Sequence, residues 1–494
     1  MTVAGAKRGP FTSIAILLGI LGGPALAAPT DLEVRSDPDV AHRLRGVASC
    51  STLSCHGGPE HDAATDPALS ALRSAYTVWA ERDPHARAYT ALFGERSRRI
   101  VSWLQPGSES DPSAYLSVLE RDCISCHATT LPDPATRQAV LSSDVYPGDG
   151  VGCESCHGAA SGWIREHVLP RWRGLPRDDK SRRGLLDTRD LSVRAGICAA
   201  CHVGDPEGVA GPRREVTHEL LGAGHPRLAF DLHGFQSRAT DSRVGFAHWD
   251  VAADRRYLLR AGEDGGPKER VAFEAESWIT GQVVSAAHRM RQLAYRAQLA
   301  TRGDRAWPEL AEMDCYACHH GLSPDRNPRG PRESGRRPGA LLPNGWGQAT
   351  ARALLAEAGV AAAGRTLLEV DRALKAGVVG DAGKVAALAA TSAGQLPSLV
   401  EPCVALASSP DRMLKALLGA EVDPSSWDEV AGFYWGAHAL TAGGRERRSD
   451  VLDALRELAL ALDFPRGGES PAPQQPELIA ERVASVRAAL SRNR

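Results

Sequence analysis

The chain has 494 residues, enough for two or more domains, and its formal net charge of −2 gives no pull toward nucleic acid or an anionic membrane. Aromatic residues make up only 5%, low for a chain that must fill several cores. Eleven cysteines are the informative count, because ten fall into five close pairs: Cys50/Cys55, Cys123/Cys126, Cys153/Cys156, Cys198/Cys201 and Cys315/Cys318. Cys403 is left over.

The first 27 residues read as a secretory signal peptide. Lys7 and Arg8 form the basic region, Ile14 to Leu21 the apolar one, and Ala25-Leu26-Ala27 the small-residue cleavage site. The apolar run falls short of the ~20 residues needed to span a bilayer, so an uncleaved anchor is only the alternative. The mature chain is expected to be exported to a periplasm, without a transmembrane segment.

Residues 28–49 are a polar lead-in to the first cysteine unit, CSTLSCH, which has four residues between its cysteines rather than two. In every pair a histidine follows the second cysteine: His56, His127, His157, His202 and His319. With 16 histidines in the chain, five coincidences have a chance on the order of 10⁻⁸, and a disulfide has no use for the histidine. Zinc sites combine two cysteine pairs per metal, and five pairs divide badly. Two thiols that add to the vinyl groups of a haem, beside an imidazole that binds its iron, explain the pattern. The implied cofactor is haem c, about five copies, all covalent.

Between the units the periodicity is helical. Leu69, Leu72, Ala75, Tyr76 and Trp79 share a face. Asp83-Pro84 reads as a helix start, with His85 in the first turn of a helix running toward Trp103. The second unit, CISCH, follows a helix ending near Arg121, and a proline-rich loop leads to the third unit, CESCH. Ten residues on stands His167, on a segment with Trp163 and Ile164. Residues 170–190 are basic and polar and read as an exposed excursion. The fourth unit, CAACH, precedes THELLGAGHPRLAFDL. There Gly222, Gly224 and Pro226 break any helix joining His218 to His225, so the two address different irons. His248 comes next, then a helical pattern from about Arg270 to Thr301 with His288, then the fifth unit, CYACH, with His320 after it. Residues 321–345 are rich in Pro, Gly and Arg and read as a linker. Residues 346–494 carry Ala and Leu at helical spacing and read as an all-α domain, with Cys403 and His438 in its packing.

WAERDPHARAY at Trp79, CESCHG followed by His167, THELLGAGHPRLAFDL and DCYACHHGL at Asp314 together resemble the multihaem cytochromes c, and within them those similar to the tetrahaem electron carrier of ammonia oxidation. The resemblance covers roughly residues 45–320. It implies close-packed bis-histidine haems and a role in moving electrons. It supports His85, His167, His218 and His225 as distal ligands, followed by His248 and then His288. His42, His61, His233 and His320 are reserves. The widened first unit, the fifth haem and the C-terminal helices depart from it.

The expected fold is mainly α with extensive loops: a signal peptide over 1–27, a multihaem domain over 28–320, the linker, and an all-α domain over 346–494. The expected function is electron relay between redox partner proteins, other cytochromes or quinol-linked complexes. Only four methionines occur, which favours bis-histidine ligation and low potentials. The rival is an oxidoreductase acting on a small nitrogen or sulfur compound at one open iron, although the C-x-x-C-K unit of pentahaem nitrite reductases does not occur. A third reading makes the C-terminal helices a docking scaffold.

Overall fold

The computed structural model describes residues 42–59, 72–129, 147–206, 213–237, 270–319, 341–345, 348–442, 448–465, 469–471 and 475–492. The leader, His61, His248, His320 and residues 321–340 of the expected linker lie outside them. The chain is mainly helical. No strand occurs among the described residues, and ladder pairing is limited to single bridges, Asp205–Arg214 and Met313–Pro343.

In the cysteine-rich half, glycine and proline keep most helices short. Asp83 does cap a helix start, accepting from His85 N at 3.0 Å. The single helix expected from His85 to Trp103 is, however, broken. A 3₁₀ turn, Pro84–Arg87, passes into Ala88–Ala91, and the helix α1, Glu95–Leu104, starts afresh after Gly94. Before the second unit, Pro112–Val118 is capped by Asp111 and widens into a π turn, Leu119–Cys123. The third unit is a one-turn helix, Cys153–His157, closed by Gly158 at φ +78°. The fourth pair sits on the last turns of α2, Leu191–His202, capped by Asp190.

Residues 170–190, expected as an exposed excursion, form two short helices, Pro170–Gly174 and Arg177–Arg182. Trp172 is buried there, and the Lys180 ammonium lies 5.8 Å from its ring centre. The apolar lysine stem covers the indole, which residue-type periodicity does not register.

The largest element is α3, Arg270–Arg302. It packs against α2 and against three C-terminal helices, α4 (Gln348–Glu357), α6 (Ala382–Gln395) and α8 (Trp427–Ala442), onto which α5 (Ala361–Leu374), α7 (Pro410–Gly419), α9 (Ser449–Leu462) and α10 (Pro476–Ser491) are layered. One apolar cluster joins Ala199 of α2, Ile279 of α3, Leu367 of α5 and Leu455 of α9. Cys403 is fully buried in it. Residues 341–345 run beside the fifth unit, where Asp314 N donates to Leu342 O and Asn344 N donates to Glu312 O.

Candidate metal centres

The five cysteine–histidine units are far apart in sequence, yet four of their histidines each face a second histidine across a similar gap. Ring-centre separations are 6.4 Å for His56 and His167, 6.0 Å for His202 and His85, 6.5 Å for His127 and His225, and 6.3 Å for His319 and His218. A metal–nitrogen bond of about 2.0 Å, with roughly 1.1 Å from ring centre to nitrogen, puts two axial imidazoles on one iron about 6.2 Å apart. Ordinary aromatic pairs also span about 4.5–7 Å. The fit to a haem lies in each pair joining the histidine of a cysteine unit to a second imidazole at the separation one iron requires.

The unused nitrogen supports the same geometry. Nδ1 donates to Leu72 O in His56 (2.7 Å), Ala88 O in His127 (2.9 Å), Ile164 O in His167 (2.6 Å) and Pro226 O in His225 (2.8 Å). A carbonyl only accepts, so Nδ1 keeps the proton and Nε2 keeps its lone pair for a metal. In His85 the partner is the buried Asp83 carboxylate, at 2.8 Å. Burial lowers the pKa of His85, but the Asp83 hydrogen bond and charge outweigh it and raise the value. Burial lowers His127 and His225, and takes His202 down to about 4 between Phe230 and Phe235. Burial thus favours the neutral form of His127, His225 and His202, the form a ligand must take.

Contacts between units give their order in space. The Cys50 thiol hydrogen-bonds that of Cys153, joining units one and three. Glu154, between the cysteines of unit three, accepts from Arg45 N and Gly46 N at 2.8 Å and from Ala160 N at 2.7 Å. Cys156 lies among Cys198 and Cys201 of unit four. The Cys201 thiol hydrogen-bonds Cys126 of unit two. His225, facing unit two, and His218, facing unit five, stand at opposite ends of one turn, His218–Gly222, which Gly224 closes at φ +114°. Arg227 just beyond lies near Cys315 of unit five. The units therefore run one, three, four, two, five.

A cavity of 1460 Å³ opens between units two and four, lined by Cys123, Cys126, Cys156, Cys198, Cys201 and the four histidines of those two pairs. One small-ligand pocket holds roughly 300–1,000 Å³, so this space takes more than one such group. Burial pushes the Cys123 and Cys198 thiols up to about 12. Arg96, Arg214, Arg227 and Arg289 also line the cavity, Arg214 donating to Ser125 O and Arg227 paired with Asp428. Burial lowers Arg289 to about 10, which leaves it charged at neutral pH.

The other described histidines are placed differently. His42 uses Nε2 on Arg182 O, at 2.9 Å. His233 has Glu274 at 2.9 Å on Nδ1 and His438 at 2.9 Å on Nε2. His288 is buried on α3 with Nδ1 3.1 Å from Gly204 O. The His157 carbonyl accepts from Leu186 N at 3.0 Å, and His157 is not one of the eight paired above. Sequence reasoning missed Phe230 and Phe235 as the walls around His202, the orienting role of Asp83, and Glu154 as the tie between units. Only Asp83 carried a signal, and it read as a cap.

Residues 49–158 match the model of the family described as cytochrome c554 and c-prime. The match spans the first three units and supports a c-type cytochrome, a class that carries covalent haem and transfers electrons. Comparison with curated proteins and with solved structures returned no match. No helix among the described residues is long and apolar enough to cross a membrane.

Proposed function

We propose that the protein is an exported, periplasmic multihaem c-type cytochrome that relays electrons between redox partner proteins through about five covalent haems, similar in this to the tetrahaem carrier of ammonia oxidation. The observation that carries the proposal is the set of four proximal–distal imidazole pairs separated by 6.0–6.5 Å. Each haem, once attached, supplies reversible one-electron chemistry at its iron.

The chain's own residues do the rest. Cys50, Cys55, Cys123, Cys126, Cys153, Cys156, Cys198, Cys201, Cys315 and Cys318 would form the thioethers. His56, His127, His157, His202 and His319 would be the proximal ligands, and His85, His167, His218 and His225 distal ligands. His248, outside the described residues, is the proposed fifth distal ligand. Backbone carbonyls and Asp83 orient the rings. Phe230 and Phe235 exclude water beside His202. At the four paired centres, two imidazoles per metal would leave no position for a substrate, which favours relay over turnover of a small molecule.

Pyridine haemochrome absorbance combined with intact mass should give five haems per chain. Electron paramagnetic resonance should show a set dominated by low-spin ferric signals. Several high-spin irons, or rapid cyanide binding at several irons, would replace relay by catalysis at an open iron.

A further inference from the structure

The centre of unit five, where His319 faces His218, is held differently from the other three paired centres. In those, a ring Nδ1 is fixed by an acceptor: Leu72 O and Ile164 O at unit one, Ala88 O and Pro226 O at unit two, the Asp83 carboxylate at unit four. At His218 and His319 the described hydrogen bonds hold the main chain. His319 N donates to Cys315 O at 2.8 Å, within its own unit. His218 N donates at 2.8 Å to Glu309 Oε1, a side chain 91 residues away.

The same oxygen accepts from Ala311 N at 3.2 Å. Ala311 lies in the 3₁₀ turn Leu310–Glu312, which leads into Cys315. One carboxylate oxygen thus ties the distal side of the centre to the approach to its proximal side. The distal turn, His218–Gly222, needs such an acceptor, because the first N–H groups of a helical turn have no partner inside it. Thr217 Oγ1 takes the N–H of Leu220 at 3.3 Å, and Glu309 takes that of His218 itself.

Arg296 of α3 braces the same two segments from behind. Nε donates to Glu215 Oε1 at 2.9 Å and Nη2 to Val216 O at 2.8 Å on the distal side, while Nη1 donates to Glu312 Oε1 at 2.6 Å on the proximal side. Arg296 keeps the segments together, and Glu309 acts one step closer, on the main chain of the candidate ligand. With both in place the His218 and His319 rings stand 6.3 Å apart at 30°.

Resting on the relay reading above, we infer that Glu309 is a positioning residue for this centre, holding the His218 main chain against the approach to unit five so that the distal imidazole stays at bonding distance from the iron. Glu309 touches no iron and carries no electron. It sets how long the sixth position stays closed. A carboxylate that served stability alone would leave that property unchanged.

The test uses the full, haem-loaded chain, reduced, with carbon monoxide as the probe of an open sixth position. Glu309→Ala should speed carbon monoxide binding at one iron by about tenfold or more, since a hydrogen bond to a charged acceptor is lost, and should add one high-spin signal to the paramagnetic resonance spectrum of the oxidised protein. Glu309→Gln keeps an oxygen that accepts from both amides and should stay within about twofold of the unmutated rate. His218→Ala should add one carbon monoxide per chain over the unmutated protein, and its combination with Glu309→Ala should add one and no more, because both act on one iron. Leu367→Ala lowers stability in the C-terminal core and should leave the rate unchanged. If Glu309→Ala does not accumulate, Glu309→Asp, one methylene shorter, should show the faster binding in its place. Unchanged binding in the Ala or Asp variant, equal acceleration in Glu309→Gln or in Leu367→Ala, or a second added carbon monoxide in the double variant would each overturn the proposal. Several high-spin irons in the unmutated protein would overturn the relay reading, whereas a low-spin unmutated protein with an unresponsive Glu309→Ala would overturn only the role of Glu309.

Discussion

What marks a candidate ligand histidine here is Nδ1 committed to an acceptor together with a second imidazole about 6 Å away; His288 shares the first feature, on Gly204 O at 3.1 Å. His56, His127, His167 and His225 commit Nδ1 to a carbonyl and turn Nε2 into a gap of metal width. His42 commits Nε2 instead. Replacing His225 by Ala should leave the haem count unchanged, add one high-spin ferric signal and create one carbon-monoxide-binding iron. Replacing His42 by Ala should change none of these. Paramagnetic resonance and the reduced-plus-carbon-monoxide difference spectrum check both. Asp83 tests the outer partner. A carboxylate on Nδ1 makes the imidazole a stronger donor and favours ferric iron. Asp83→Asn should therefore raise the potential of the His85–His202 centre in a spectroelectrochemical titration while the other centres stay in place. Glu154→Gln should cost about 2 kcal/mol of stability, because a carboxamide cannot accept from all the amides that the carboxylate holds. The cysteine–histidine units stand out in the sequence because their spacing repeats, and their use as haem attachments is part of the proposed function. The distal partners were legible only as candidates, since 6 Å across a cavity leaves no spacing rule. Glu154 was invisible, because its partners Arg45 and Gly46 lie more than a hundred residues away.

At the scale of elements, α3 was legible from end to end, whereas the segment from His85 to Leu104 was read as one helix and is three pieces. Periodicity survives a break at Leu92–Gly94, because the same side can be buried on both sides of it. Where α3 crosses α8, Trp278 lies over Gly436, so closely that an added Cβ would come within 2.5 Å of the indole, with Leu417 at 2.7 Å on the other side. Trp278 Nε1 also donates to Gly432 O at 3.0 Å. Gly436→Ala should thus destabilise by about 1–3 kcal/mol, since neither the ring nor the leucine can retreat in a filled core. A second tie joins α3 to the segment before His218. Arg296, nearly fully buried, bonds Glu215 at 2.9 Å and Glu312 at 2.6 Å. Burial alone would raise the Glu215 pKa, but Arg296 and Arg305 overcome it and hold it down to about 2. A depressed carboxylate stabilises above its unfolded value, near 4.5, and that contribution is lost as pH falls from there toward 2. Glu215→Gln should therefore cost about 3 kcal/mol at neutral pH and show a shallower acid limb below pH 4.5, followed by circular dichroism.

At the scale of the whole molecule, the sequence separates a cysteine-rich half from an alanine-rich half, and each composition is correct for what it builds. Composition could not say which half α3 belongs to. The helix carries His288 and precedes the fifth unit, yet its buried side includes Ile279, Val283 and Met290 in the same cluster as Leu354, Leu367 and Leu458. His233 on the haem side meets His438 of α8 at 2.9 Å, and Arg227 meets Asp428 of α8 at 2.8 Å, with both members of that ion pair buried. Cutting the chain after residue 345 would expose an apolar side of a helix 33 residues long and leave Arg227 buried without its carboxylate. Each deleted large side chain in such a core is worth about 2–5 kcal/mol, against a total stability of about 5–15 kcal/mol. The truncated chain should accordingly fail to accumulate as soluble haem protein. Leu367→Ala in the full chain should accumulate normally with a melting point several degrees lower. Periplasmic haem-stained yield and thermal melting measure the two outcomes. A truncated protein recovered in full yield, with every haem in place, would make the C-terminal helices an appendage instead of the second wall of the core.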